Sequence, residues 1–155
     1  MKETTPEKQL AALNLILPPA PAPAGLYKPV RVSEGYLYIS GQGPMKEDGT
    51  FICGRAGVDM DRDAAKAAAR QVGLTRLATI RTHFGSLDGI DYLVKTLGMV
   101  NGHPNFHDYP YVINGFSELM AEVFGPEKGV GARSAVGMNL PGNVAVEIES
   151  IFKLR

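Results

Sequence analysis

Cysteine is almost missing from this 155-residue chain, tryptophan is missing altogether, and charge of neither sign predominates. Cys53 stands alone, so no intrachain disulfide can form, and a reducing, cytoplasmic setting is the expectation. Sixteen Lys and Arg against 16 Asp and Glu give a formal net charge of zero. That balance argues against an electrostatic binder of nucleic acid or of a membrane surface. No apolar run reaches the roughly 18 residues that a membrane-spanning helix needs. The lead Met1–Glu7 carries acids rather than an apolar stretch, so no signal peptide is expected. No Cys/His cluster has zinc-ligand spacing, and Pro104 breaks any helix that would align His103 with His107. Gly41-Gln42-Gly43 lacks the third glycine and the following helix of a phosphate loop. Neither a metal nor an organic cofactor is therefore expected.

Glycine and proline, by contrast, are plentiful, and they punctuate the chain into elements. Thr4 with Glu7 has the spacing of a capping box, and Pro6 suits a first helical turn, so a short amphipathic helix is expected to about Leu15. Four prolines between Leu17 and Gly25 predict an extended strap. Strands are expected over 28–33 and 36–42, joined at Glu34-Gly35, with a second turn at Asp48-Gly49. The longest helix starts at Asp61 or Asp63 and runs to about Phe84, with Val72, Leu77, Ile80 and Phe84 as its buried stripe and His83 near its end. A third strand spans 90–100 and a second long helix 109–124, closed by Gly125-Pro126. The last strands are 133–139 and 144–152. Two helices over one face of a mostly antiparallel sheet make an α+β layer architecture. The division is a lead of residues 1–24 and one domain over 25–155, which suffices for a single moderate core.

The chemistry concentrates in the last two strands. Arg133 opens an apolar strand, and Glu147 and Glu149 alternate on the next. A guanidinium binds a carboxylate through two parallel donors, and a glutamate can hold water or relay a proton. If these strands pair as a hairpin, Arg133 and Glu147 face one cavity. Taken alone, Arg133 reads as a surface ion pair, Glu149 as part of a solvated strand face, and Cys53 as a loop thiol without an activating neighbour. Ser40 could donate to substrate or water beside Gly41, whose bare backbone allows close approach. Tyr27 could cover a planar ligand, and Asn114, unfavourable inside a helix, needs a tertiary partner.

Four motifs, in order, resemble one family: Ala24-Gly25-Leu26-Tyr27; Leu37-Tyr38-Ile39-Ser40-Gly41-Gln42; Val112-Ile113-Asn114-Gly115-Phe116; and Ala132-Arg133-Ser134-Ala135-Val136 with Leu140-Pro141 and Val146-Glu147-Ile148-Glu149. Spread over residues 25–155, they are similar to the Rid, or YjgF-like, reactive-intermediate deaminases, formerly labelled L-PSP endoribonucleases. The resemblance implies a chorismate-mutase-like fold and a homotrimer with a central barrel, its sites in clefts between subunits. It implies hydrolysis of 2-aminoacrylate-type enamines and imines, such as 2-iminopropanoate and 2-iminobutanoate, to 2-keto acids and ammonia. Arg133 and Glu147 are then the catalytic pair, and Tyr27, Ser40, Gly41, Asn114 and Ala135 bind a small carboxylate-bearing substrate. Two departures stand out. Ala135 replaces a cysteine frequent in the family, and the segment from Arg133 to Leu140 is one residue short. Non-enzymatic sensing of 2-keto acids is the competing reading, and endoribonuclease activity a third.

Overall fold

The computed structural model describes residues 4–155, so Met1–Glu3 of the lead lie outside the described residues. Eight main elements follow one another: α1 (Pro6–Ala12), β1 (Val30–Ser33), β2 (Tyr36–Gln42), α2 (Arg62–His83), β3 (Ile90–Val100), α3 (Tyr109–Phe124), β4 (Ala132–Gly137) and β5 (Val146–Leu154). Short 3-10 turns sit at Leu87–Gly89 and Pro141–Asn143. The strands form one sheet in the order β1-β2-β5-β3-β4. Among these five strands the β3–β4 pair is parallel and the other pairs are antiparallel. Parallel neighbours need a crossover, and α3 supplies it.

The expected hairpin of the last two strands does not form. β4 pairs with β3, and β5 enters the sheet between β2 and β3, so β3 separates the strands that carry Arg133 and Glu147. Of the short stretch between Arg133 and Leu140, Ser134 to Gly137 lie within β4, whose ladder with β3 stays in step from Ala132 to Gly137, and only Met138 and Asn139 lie beyond it.

β5 shows why one face of the sheet is the core. Val146, Ile148, Ser150 and Phe152 are buried, while Glu147, Glu149, Ile151 and Lys153 between them are not. A period of two sends these sets to opposite faces. Both long helices cover the first face. Gly98, the register partner of Ile148, lies under Ile113 of α3, and Gln42, also opposite Ile148, donates to Thr79 of α2. Among the described residues no helix lies over the other face, where Tyr38 and Tyr92 are exposed.

Asp61 caps α2 by accepting from the Ala64 amide at 2.8 Å, and its alanines let α3 approach closely. A side chain at Gly115 would collide with the Lys66 carbonyl of α2. The N-terminal segment departs from the capping-box reading. Thr5, not Thr4, caps α1, and the helix stops at Ala12, short of Leu15. Glu7 turns away from its own helix to accept from Arg81 of α2 and from the Leu87 amide. Leu10 joins the same hydrophobic cluster as Phe116 and Phe152.

Candidate functional site

Two strands apart at about 4.8 Å each puts β4 and β5 about 10 Å from one another. Their key side chains also point opposite ways. Arg133 is registered with Thr96 and Thr96 with Ser150, the helix-covered set, whereas Glu147 is registered with Met99 on the alternate set. Within one chain the predicted residues therefore fall into two groups.

The first group surrounds a cavity of about 680 Å³. Tyr27, Ser40, Gly41 and Glu147 all line it. A β-bulge shapes its floor: Ser40 and Gly41 together oppose the single residue Glu149, between the register pairs Ile39–Ser150 and Gln42–Ile148. Glu147 packs so closely on Gly41 that a methyl group there would overlap its carboxylate. The Ser40 hydroxyl donates to the Lys28 carbonyl at 2.7 Å, which leaves its lone pairs to accept from a ligand. The Tyr27 hydroxyl accepts from the Ala24 amide at 3.0 Å, fixing the ring against the strap. Burial, and then the neighbouring Glu149 charge, push the Glu147 carboxyl above its ordinary value.

Some of this wall was not foreseen. Pro21 to Ala24 of the strap, Phe51 and Val144 give the cavity an apolar side, and Cys53 stands on it. The Cys53 thiol donates weakly to the carbonyls of Phe51 and Gly142, at 3.7 and 3.6 Å. The four prolines signalled a stiff strap, but nothing local in the sequence shows which surface a strap crosses.

The second group lies in the groove between β4 and α3. The Arg133 guanidinium donates to the Ser117 hydroxyl at 3.0 Å and to the Pro110 carbonyl at 3.1 Å. Pro110, Asn114 and Ser117 are spaced i, i+4, i+7, so Asn114 sits on the helix face that Arg133 follows. Ala135, two residues along β4, shares the side of the strand that Arg133 uses. Arg133 is partly buried, which draws its pKa below the usual arginine value. Among the described residues, neither Arg133 nor Glu147 takes part in an ion pair.

Among the described residues no cluster of His, Cys, Asp and Glu is suited to a metal. No helix there is long and apolar enough to cross a membrane.

A five-stranded mixed sheet, helices on one face and a carboxylate-bearing cavity at a bulge together define a class of small α+β proteins. Residues 7–145 match the family model described as YjgF/chorismate mutase-like, whose description also carries an endoribonuclease label. The chain belongs to this family. Protein TCP17 of Trypanosoma cruzi is 37% identical over 146 residues, covering 94% of this chain and 91% of that protein. The crystal structure of Atu1372 from Agrobacterium tumefaciens, a protein of unknown function, superposes with a TM-score of 0.86 at 38% identity, over 97% of this chain and 94% of that one. RidA from an Antarctic Psychrobacter species matches with a TM-score of 0.57 at 26% identity, over 87% and 94% of the two chains. Membership of the YjgF-like Rid family is thus supported by sequence and by fold.

Proposed function

We propose that the protein hydrolyses 2-aminoacrylate-type enamines and imines to 2-keto acids and ammonia, at a site completed by a second copy of the chain. The observation that carries this reading is the Glu147 carboxyl seated on Gly41 in the cavity, with burial raising its pKa. The separation of Arg133 and Glu147 within one chain fits a shared site. Arg133, Asn114 and Ala135 of one subunit would face Tyr27, Ser40, Gly41 and Glu147 of the next, in a trimer whose helix-free sheet faces turn toward a central barrel. The apolar side chains on that open face, such as Tyr38 and Tyr92, support such an assembly. The lone Cys53 suits a reducing, cytoplasmic setting.

The chemistry then runs as follows. The enamine tautomerises to the imine, and Arg133 pairs with the substrate carboxylate in a two-pronged way. Tyr27 covers the planar acid. A water held by Glu147 adds to the imine carbon, Glu147 taking one of its protons. Glu147 returns that proton to the nitrogen, giving the tetrahedral carbinolamine. It then takes the hydroxyl proton and passes it to the amino group as the C–N bond breaks and the carbonyl forms, so that ammonia and a 2-keto acid leave. One imine and one water are consumed for each ammonia and keto acid formed. A carboxyl whose pKa is raised toward neutrality can both accept and return the proton. Because imines of this kind also hydrolyse in water unaided, positioning and one proton relay, each worth on the order of 10²-fold, are enough.

Ammonia release from freshly generated 2-aminoacrylate tests the reading. The wild-type chain should accelerate it, while Arg133→Ala and Glu147→Gln should fall to near the spontaneous rate. A wild-type protein that leaves the spontaneous rate unchanged sinks the enzyme reading. Saturable binding of a 2-keto acid under the same conditions would then favour a sensor.

A further inference from the structure

Arg76 occupies the middle of the buried stripe of α2, one turn from Val72 and one turn from Ile80, and is completely buried. An apolar side chain is what that position ordinarily carries. Instead, one terminal nitrogen donates to the Ser40 carbonyl at 3.2 Å and the other donates to the Ile148 carbonyl. Ser40 is half of the bulge, and Ile148 is the residue after Glu147. One planar guanidinium therefore clamps the two strands on either side of the extra residue. A bulge interrupts the ladder and leaves backbone groups to be satisfied elsewhere, and Arg76 takes up the carbonyl of the bulge residue Ser40 together with that of Ile148 on the neighbouring strand.

The clamp is expensive in solvation. Among the described residues Arg76 has no ion-pair partner, and its Nε has no hydrogen-bond partner. Burial lowers its pKa to about 9, offset in part by the charge of Glu149. A fully buried cation without a carboxylate is strongly unfavourable unless good hydrogen bonds compensate. The bulge in turn has little slack, since Gly41 already lies against the Glu147 carboxylate.

The geometry points to Arg76 as a positioning residue for the Glu147 site, its guanidinium fixing the Ser40–Gly41 bulge against β5 and so seating the Glu147 carboxyl in the cavity. The catalytic consequence rests on the deaminase reading, but the structural one does not. Lysine keeps the charge yet offers a single compact donor group that cannot fork across two carbonyls.

The test compares wild type, Arg76→Lys, Glu147→Gln and the double variant, by NMR and by turnover of 2-aminoacrylate. In Arg76→Lys the Gly41 amide resonance should move, and the Glu147 carboxyl should titrate closer to an ordinary glutamate. Its kcat should fall about tenfold or more while KM changes far less, the pattern of a misplaced catalytic group. In the Glu147→Gln background the same substitution should have little further effect. Unchanged Gly41 and Glu147 signals in a folded Arg76→Lys protein, or additive kinetic losses, would overturn the assignment. Should Arg76→Lys not fold, the wild-type protein still decides. Its Arg76 side-chain N–H protons should exchange far more slowly than those of exposed Arg31, and equal exchange rates refute the clamp. A wild type that turns over no imine removes the deaminase reading alone, because the NMR results stand independently of activity.

Discussion

At the scale of single residues, the cavity depends on how tightly Glu147 and Gly41 fit. Gly41→Ala would drive a methyl group into the carboxylate. The expected result is a loss of imine turnover of about 10²-fold, with circular dichroism unchanged. Glu147 also makes a pH prediction. Its folded-state pKa is raised, first by burial and then by Glu149, so the folded protein binds the proton more tightly than the unfolded chain. Stability should therefore fall as pH rises from the ordinary glutamate value through the raised one. Glu147→Gln should flatten that slope and melt higher than wild type at neutral pH, as thermal scans across pH would show. The chemical types of these residues were legible in the sequence, because Arg, Glu, Tyr and Gly each suit a carboxylate and water site. Their sides of the sheet were not. Parity along a strand says only that Glu147 and Glu149 share a face. Which face Arg133 takes depends on the register of β4 against β3, set by residues far away in the chain.

At the scale of elements, two contacts hold the helices where the site needs them. α2 and α3 touch at Gly115, where a methyl group meets the Lys66 carbonyl. Backbone cannot yield as a flexible side chain can, so Gly115→Ala should destabilise the fold by about 2 kcal/mol or more, measured by denaturant unfolding. α1 is fastened by Glu7, whose pKa is lowered chiefly by its hydrogen bond with Arg81. Its contribution is present above the ordinary glutamate pKa and is lost as pH falls through the lowered folded value. Glu7→Gln should cost about 1–2 kcal/mol at neutral pH, and the gap to wild type should close in acid. The spans of β3 and α3 follow directly from local composition, with Gly125-Pro126 closing α3. The role of Glu7 did not, since a glutamate three residues after a threonine looks like a capping partner until Arg81 and Leu87 are brought beside it. Likewise, the adjacency of β4 and β5 in sequence suggested a hairpin. The crossover through α3 makes β4 the parallel neighbour of β3 instead, and β5 takes the sheet centre, where its alternate residues bury most fully. Arg76 did leave a trace, as a charge at i+4 from Val72 on an otherwise uncharged stripe.

At the scale of the whole molecule, the decisive feature is division. One chain holds the Glu147 cavity on one side of its sheet and the Arg133 groove on the other. Neither half joins a carboxylate-binding fork to a proton relay. On the proposed reading the assembly joins them, so activity and oligomer should rise and fall together. Substitution of open-face Tyr38 by Glu should yield smaller particles by light scattering, and those particles should lack turnover even though Arg133 and Glu147 are intact.

Subunit complementation tests this division most directly. Arg133→Ala and Glu147→Gln chains, each inactive alone, are unfolded together in equal amounts and refolded as mixed oligomers. If each site takes its guanidinium from one copy and its carboxylate from another, random mixing should restore about a quarter of the wild-type rate of imine hydrolysis. A mixture that stays at the spontaneous rate, while wild type carried through the same refolding recovers its activity, would contradict a site shared between chains.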